Sequence, residues 1–144
     1  MHMQLFTKKY KYVIHEHHAS HLHWDLRLEH HGVLKSWAVP KKPSPNPAVK
    51  RLAIQVPGHA LSYAKFHGTI PKDHYGAGMV KIWDSGWHEL QAWTSTKVIT
   101  KLHGRKLKGL YCLTKFPQSG PKNWLFFKKK ETKMKKGYRK GRFL

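Results

Sequence analysis

The stretch that decides the fold is residues 22–29, LHWDLRLE, in which apolar and polar side chains alternate without a break. Successive side chains of a β-strand point to opposite faces, so the two sets belong to two faces of one strand. The apolar row, which we expect to pack into a core, comprises Leu22, Trp24, Leu26 and Leu28. The polar row comprises His23, Asp25, Arg27 and Glu29. Imidazole, carboxylate and guanidinium groups in one row are not typical of a solvated face, so this row predicts a functional surface.

On both sides of residues 22–29, short runs rich in Val, Ile, Tyr, Trp and Leu recur along the chain and are separated by Gly and Pro. His30-His31-Gly32 predicts a tight hairpin turn, and the prolines of residues 40–50 predict a surface loop. Residues 57–78 predict a long irregular loop, a feature that is usually functional in a compact domain. The predicted strands are 9–15, 22–29, 33–39, 51–56, 79–83, 87–93, 97–102, 106–116 and 123–129. These short strands, without a long amphipathic helix, predict an all-β fold, either an antiparallel barrel or a sandwich.

Charge distinguishes this chain from an ordinary globular domain. It has 28 Lys and Arg against 7 Asp and Glu, a formal net charge of +21 in 144 residues. Such an excess repels itself unless a polyanion neutralises it, and nucleic acid is the commonest polyanionic partner. An anionic membrane surface or a secreted polyanion-binding role is the alternative. The composition predicts one folded domain over residues 1–129 and a basic, disordered tail over residues 130–144.

The composition also excludes several classes of protein. Cys112 is the only cysteine, so an intramolecular disulfide is excluded, and we expect a small buried apolar residue there. The N-terminal residues lack the apolar core of a signal peptide, and no apolar run approaches the roughly 20 residues of a spanning helix. We therefore expect a soluble, monomeric, cytoplasmic protein without a membrane partner, associated with the nucleoid if the source is prokaryotic.

His17, His23 and Asp25 form a candidate metal site. Residues two apart on a strand lie roughly 6.8 Å apart at the Cα, so His23 and Asp25 can lean onto one ion. We place His17 in the loop before the strand, from which it would complete the set. Two imidazoles and one carboxylate leave positions for water and phosphate oxygens; Mn²⁺ fits this set, and Zn²⁺ is the close competitor. Arg27, one step farther along the face, offers a fork of N–H donors to a phosphate.

A merely polar strand face is an open alternative to a metal site, because 13 histidines in one chain cluster partly by chance. We interpret most of the others, including His15 and His88, as surface or packing residues. The sequence offers few candidate residues for other kinds of catalysis. Cys112 has no local catalytic signature, no P-loop motif is present, and seven acids leave little room for a carboxylate-rich two-metal centre.

A series of motifs in a fixed order carries a resemblance to a known family. The run from Tyr12 to Glu29 contains the pattern His17-x5-His23-x-Asp25-x-Arg27. The motifs that follow are LKSWAVPK at 34–41, KRLA at 50–53, HALSYA at 59–64, YGAG at 75–78, KLKG at 106–109 and NWL at 123–125. With these motifs the chain resembles the 3′-phosphoesterase domain of the DNA ligase D family of bacterial and archaeal end-joining systems.

The resemblance implies a compact antiparallel β-barrel with a hydrophilic groove and a Mn²⁺-dependent activity at DNA or RNA 3′ ends. The family trims a terminal ribonucleotide to leave a 3′-phosphate and then removes that phosphate to leave a 3′-OH. By position, the implied metal ligands are His17, His23 and Asp25. The implied phosphate-contacting residues, of which all but Lys41 and Arg51 are also candidate catalytic residues, are Arg27, Lys41, Arg51, His59 and Tyr63.

The chain departs from the family pattern at Pro57-Gly58, where acids are frequent, and at His74, where Glu is frequent. No ligase or polymerase motif accompanies the match. We therefore expect a stand-alone version that acts in DNA repair with separately encoded ligase, polymerase or Ku proteins.

The first functional hypothesis is a metal-dependent 3′-end phosphoesterase. The second is a non-catalytic, basic nucleic-acid-binding β-barrel that uses exposed aromatic side chains such as Trp83 and Trp87. The third is a metal-free nuclease with His17 and His59 as acid and base.

Overall fold

Nine antiparallel strands form one continuous sheet in the computed structural model, which describes residues 8–130. The strands are β1 (Tyr10–His18), β2 (Leu22–His30), β3 (Val33–Val39), β4 (Arg51–His59), β5 (Gly68–Ile70), β6 (Gly78–Trp93), β7 (Lys97–His103), β8 (Lys108–Lys115) and β9 (Asn123–Lys128). Their order in the sheet is β1-β2-β3-β4-β9-β8-β7-β6-β5. A further pairing of β1 with β6 closes all the strands except β5 into an eight-stranded barrel. The predicted all-β barrel is confirmed. The predicted disordered tail lies outside the described residues, apart from Lys130.

The alternation of β2 places its apolar row inside the barrel. Trp24, Leu26 and Leu28 are buried there and join a core that also contains Trp37. Leu22 is 44% exposed, so its predicted place in the core was wrong. It is the first residue of the strand, next to an exposed turn, where no neighbouring wall covers it.

Residues 78–93 form a single strand of 16 residues, β6, where the sequence predicted two strands and a turn at Ser85-Gly86. Gly86 permits a close approach of backbones, because a Cβ there would collide with the carbonyl oxygen of His103 on β7. The length of β6 lets it pair with β1 along one edge and with β5 and β7 along the other. A register shift opposite Ile14 and His15 marks a bulge in the β1–β6 pairing.

The polar face of β1 and β2 is only partly open to solvent, because residues 57–77, here called the covering segment, pack over it. This segment contains the end of β4, a 3₁₀ turn at Leu61–Lys65, strand β5 and two tight turns. Its backbone carbonyls at Phe66 and Gly76 accept hydrogen bonds from His15 (2.9 Å) and His17 (2.7 Å). The site therefore lies between the outer wall of the barrel and the covering segment. No helix among residues 8–130 has the length and apolar character that crossing a membrane requires.

Candidate metal centre and phosphate pocket

Three side chains with metal-binding atoms converge where β1 and β2 meet. His17 lies opposite His23 in the β1–β2 register, so it belongs to strand β1 and the prediction that it lies in a loop was wrong. The Nδ1 atom of His17 is 3.2 Å from one carboxylate oxygen of Asp25, and the Nε2 atom of His23 is 3.2 Å from the other. One ligand atom from each residue lies within 4.8 Å of the other two.

The separations between these atoms fit a single transition-metal ion. Ligands about 2.1 Å from an ion lie roughly 3.0 Å apart when they subtend a right angle and roughly 3.4 Å apart in a tetrahedron. Asp25 lies 3.2 Å from each imidazole, but through different oxygens, Oδ2 toward His17 and Oδ1 toward His23. These distances are close enough for one ion to be shared, and the mix of two imidazoles and one carboxylate keeps both Mn²⁺ and Zn²⁺ as candidates.

Both histidines also have the outer contacts that metal-ligating histidines usually make. With Nδ1 turned to the cluster, His17 donates its Nε2–H to the carbonyl of Gly76 at 2.7 Å. With Nε2 turned to the cluster, His23 donates its Nδ1–H to the carbonyl of His21 at 3.1 Å. In a neutral imidazole such a bond leaves the nitrogen that faces the cluster with a lone pair for an ion, whereas without an ion a protonated imidazole donates from that nitrogen to Asp25. A merely polar strand face does not require this arrangement, so it favours a metal site.

The electrostatics of the cluster keep Asp25 ionised. Burial by itself would raise the pKa of this carboxyl group, but hydrogen bonds from His17 and His23 and the charge of Arg27 hold it well below its usual range. The hydrogen bond with Asp25 is the main cause of a raised pKa at His23. The carboxylate is therefore available as an anionic ligand at neutral pH.

Arg27 is 4% exposed and is held by hydrogen bonds on three sides. Its Nε donates to His15 Nδ1 at 3.0 Å, and its Nη1 donates to Ser36 Oγ at 2.9 Å and to His59 Nδ1 at 3.0 Å. Its Nη2 makes a longer contact of 3.4 Å with Asp25. Since a guanidinium has five N–H donors, little more than the Nη2 edge is left to meet a phosphate.

His15 is a positioning residue that the sequence interpretation did not single out. It is completely buried, its Nδ1 accepts from Arg27, and its Nε2–H donates to the Phe66 carbonyl at 2.9 Å. Burial and the neighbouring Arg27 lower the pKa of His15 to about 4, so it stays neutral and can accept that bond. The alternation of side chains along β1 could have identified His15. Because β1 extends to His18, His15 and His17 are two residues apart on one strand and share one face.

His59 and Tyr63 lie beside Arg27, and their predicted contact with a substrate phosphate stays a prediction. The ring of Tyr63 stacks on His59 at a centroid distance of 4.4 Å and on Phe66 at 4.9 Å, and the Arg27 guanidinium lies 5.0 Å from its centroid. Burial and Arg27 lower the pKa of His59. Because its Nδ1 accepts from Arg27, neutral His59 carries its proton on Nε2, and no partner for that N–H exists within residues 8–130.

The pocket between the barrel wall and the covering segment has a volume of about 440 Å³ and brings together six of the eight candidate site residues. The other two, Lys41 and Arg51, do not line it. Lys41 is exposed in the loop after β3, and Arg51 donates from Nε to the Lys42 carbonyl at 2.7 Å. Their contact with a substrate phosphate stays a prediction, and any such contact lies outside this pocket. The six lining residues are His17, His23, Asp25, Arg27, His59 and Tyr63.

Comparison with known proteins identifies the family. A family model described as the DNA Ligase D 3′-phosphoesterase domain matches residues 15–115. The chain is 44% identical over 134 residues to the multifunctional non-homologous end joining protein LigD of Mycolicibacterium smegmatis. This alignment covers 85% of this chain and 17% of that protein. It is 46% identical over 127 residues to the protein of the same name from Pseudomonas aeruginosa, which covers 84% of this chain and 15% of that protein. The chain thus spans about a sixth of these relatives. The resemblance seen in the ordered motifs is confirmed, and the chain belongs to the DNA ligase D 3′-phosphoesterase domain family.

Proposed function

We propose that this protein is a divalent-metal-dependent phosphoesterase that processes nucleic-acid 3′ ends for end joining. It hydrolyses the ester bond that joins the 3′-terminal ribonucleoside to its phosphate, which releases the nucleoside and leaves a 3′-phosphate on the strand. It then hydrolyses that phosphomonoester, which releases inorganic phosphate and leaves a 3′-OH. The observation that carries the proposal is the convergence of the His17–His23–Asp25 cluster with Arg27 and His59 in one pocket. The family match and the chain's charge of +21 support nucleic acid as the substrate.

In this proposal His17, His23 and Asp25 hold the ion, with Mn²⁺ as the first choice and Zn²⁺ as the second. When bound, a divalent cation supplies a Lewis acid for the non-bridging phosphate oxygens. Arg27 presents its Nη2 edge to the same phosphate and adds a second fixed positive charge. His15 and Ser36 hold the guanidinium so that this charge needs no reorganisation during the reaction.

His59 has the role of proton donor. It carries its proton on Nε2 and lines the pocket, so it donates a hydrogen bond to a phosphate oxygen or protonates the leaving oxygen. Tyr63 keeps His59 in place through their stacked rings. Lys41 and Arg51, outside the pocket, are proposed to contact phosphates farther from the 3′ end.

The decisive experiment is product analysis of primer–templates that end in a 3′-phosphate or a 3′-ribonucleotide, with Mn²⁺, with Zn²⁺ and with a chelator. We expect metal-dependent formation of 3′-OH ends. Asp25→Asn should lower the rate by at least about a hundredfold, because the cluster loses its anionic ligand. His17→Ala and His23→Ala should act in the same direction.

Asp73→Asn is a matched control, because Asp73 lies on the covering segment with a 90% exposed side chain. It should leave the rate unchanged. An Asp25→Asn protein with the full rate, or full activity in chelator, would contradict the assignment.

Two other functions remain as outcomes of the same experiment. A non-catalytic nucleic-acid-binding barrel is favoured by the charge, and it predicts tight DNA binding with no metal effect and no altered end. A metal-free nuclease with His17 and His59 as acid and base predicts activity that is insensitive to chelator. We further propose, from the end-joining names of the relatives, that the ligase and polymerase activities of an end-joining system use the healed ends.

A further inference from the structure

Tyr75 is an exposed aromatic side chain at the mouth of the pocket. It is 84% exposed, more than any other large apolar side chain within residues 8–130, and it nevertheless lines the pocket. A single exposed aromatic side chain is common on protein surfaces and does not by itself indicate a binding site. Its significance here comes from its position, one residue before the Gly76 carbonyl that holds the proposed metal ligand His17.

The backbone around Tyr75 is fixed rather than loosely attached. Hydrogen bonds from the His74 N–H to the Pro71 carbonyl (3.1 Å) and from the Ala77 N–H to the His74 carbonyl (3.2 Å) form two successive tight turns. The Gly76 carbonyl accepts the bond from His17, and Gly76 adopts a left-handed φ of 76°. Tyr75 is therefore held at a set position relative to the metal cluster.

The lining of the pocket divides into a charged floor and an uncharged rim. The floor is formed by the buried lining residues His17, Asp25 and Arg27. The rim is formed by partly or fully exposed small or apolar residues, which are Ala19, Val56, Pro57, Ile70 and Ala77. A terminal phosphate belongs at the floor, where the positive charge lies. The rim suits an uncharged group attached to that phosphate, such as a sugar and its base.

Of the two tyrosines that line the pocket, only Tyr75 has a ring face to offer. Tyr63 is stacked between His59 and Phe66, so its ring is already in use. Within the described part of the chain Tyr75 has no aromatic or cation–π partner. Stacking on an aromatic side chain is how proteins commonly hold an unpaired base, and it tolerates any base because each has a π face.

We propose that Tyr75 forms a nucleobase subsite, in which its ring stacks on the base of the 3′-terminal nucleotide while the floor of the pocket holds that nucleotide's 3′-phosphate. The identity of the ligand rests on the proposed function. The subsite sets how the end enters the pocket, and it acts on binding rather than on the chemical step.

Steady-state kinetics on two matched primers test the subsite. Both end in a 3′-phosphate, but one carries a base on the terminal sugar and the other carries an abasic sugar. Tyr75→Leu should raise KM about tenfold on the primer with the base and leave KM on the abasic primer unchanged. Tyr75→Phe, which keeps the ring, should behave like the unaltered protein on both primers. An equal effect of Tyr75→Leu on the two primers would overturn the proposal.

A binding measurement that needs no turnover separates this inference from the proposed function. A strand with 2-aminopurine as its 3′-terminal nucleotide and a 3′-phosphate is titrated in chelator, where stacking quenches the fluorescence. The unaltered protein and Tyr75→Phe should quench it, and Tyr75→Leu should not. His74→Leu is the matched control, since His74 is an exposed ring on the same turn that does not line the pocket; it should quench fully. Quenching retained in Tyr75→Leu, or no quenching by the unaltered protein, refutes the subsite even if the enzyme removes 3′-phosphates. Conversely, Tyr75-dependent quenching without any turnover supports the subsite and refutes the catalytic function.

Discussion

Arg27 is a buried cation whose guanidinium group is held in one orientation by hydrogen bonds. Four groups, one from each of the strands β1 to β4, surround it, and three of them, His15, His59 and Ser36, accept hydrogen bonds at about 3 Å. Two of these acceptors are imidazoles whose pKa values are lowered, so they do not compete with the guanidinium as cations. Among residues 8–130 the only ionic partner of Arg27 is Asp25, at 3.4 Å, and both residues line the pocket.

His88 makes the stability of the fold depend on pH. It is completely buried, its Nε2–H donates to the Glu29 carbonyl at 3.1 Å, and its Nδ1 lies 2.7 Å from the Thr100 hydroxyl, which also lies 2.9 Å from the Glu89 carbonyl. Burial lowers the pKa of His88 to about 4. The unfolded chain therefore takes up this proton first, so the contribution of His88 is complete above about pH 6.5 and is lost as the pH falls toward 4.

The corresponding measurement is urea denaturation of the unaltered protein and of His88→Gln at pH 7 and at pH 4. The loss of unfolding free energy between these pH values should be smaller in His88→Gln by roughly 3 kcal/mol. Other titrating groups are common to both proteins and cancel in this difference. An identical pH dependence would show that His88 is not held neutral by the fold.

At the scale of elements, Asp84 ties β6 to the turn between β7 and β8. One carboxylate oxygen accepts from the backbone N–H groups of Arg105 (2.7 Å) and Lys106 (2.9 Å). The other accepts from the Leu107 N–H at 3.0 Å and the Tyr12 hydroxyl at 2.7 Å. Asp84 is 3% exposed, so these are charge-assisted bonds shielded from water.

Asp84→Asn should lower the free energy of unfolding by about 2–4 kcal/mol, because the amide NH₂ group would face N–H and O–H donors. The urea midpoint, at an unchanged m-value, measures this loss. Asp73→Asn is the matched exposed control and should change stability by no more than about 0.5 kcal/mol. A midpoint for Asp84→Asn as high as the control's would show that the carboxylate does not anchor the turn.

The turn at residues 74–77 connects the covering segment to the metal cluster through Gly76. Its left-handed φ of 76° disfavours any side chain, and a Cβ there would come into van der Waals contact with His17 Cε1 at 3.5 Å. Gly76→Ala should therefore shift the carbonyl that orients His17. Disturbing such an outer contact typically weakens metal binding by about 10- to 100-fold.

Calorimetric titration of Mn²⁺ measures this effect. Gly32→Ala is a close control, because Gly32 has a similar φ of 79° and lies in the β2–β3 turn, where a Cβ would meet no atom within 4 Å. Gly32→Ala should show the same backbone strain with unchanged metal affinity. Equal losses of metal affinity in the two variants would mean that Gly76 acts only through general stability.

For the whole molecule, the net charge of +21 predicts a strong dependence of DNA binding on salt. Residues 130–144 carry seven Lys or Arg and one acid, and they lie beyond the family match. Each phosphate that they neutralise should add about 0.9 to the slope of log affinity against log salt. Truncation after Lys129 should lower that slope and leave kcat unchanged.

A full-length chain with the tail's Lys and Arg replaced by Gln is the matched control, because it removes the charge but keeps the length. It should show the same reduced slope as the truncation. Loss of turnover at saturating substrate in either protein would contradict a purely electrostatic role.

The sequence by itself determined the fold class and which metal-binding side chains form the candidate centre. The period of two in residues 22–29 sends Trp24 and Leu26 to a core and Asp25 to the opposite face, and this follows from strand geometry alone. His23 and Asp25 are neighbours on one strand, so their convergence is a local property. The local interpretation of Ser85-Gly86 as a turn was wrong. In sequence, a glycine that lets a neighbouring backbone approach closely cannot be told from a glycine in a turn.

Only the tertiary structure decided how the polar face of the barrel is used. It placed His17 on a strand, made His15 the support of Arg27, and supplied the Phe66 and Gly76 carbonyls from 51 and 59 residues along the chain. It also left Lys41 outside the pocket and Tyr75 at its mouth. These features depend on the path of the covering segment over the barrel wall. No local periodicity encodes that path, because it results from contacts between residues that are distant in sequence.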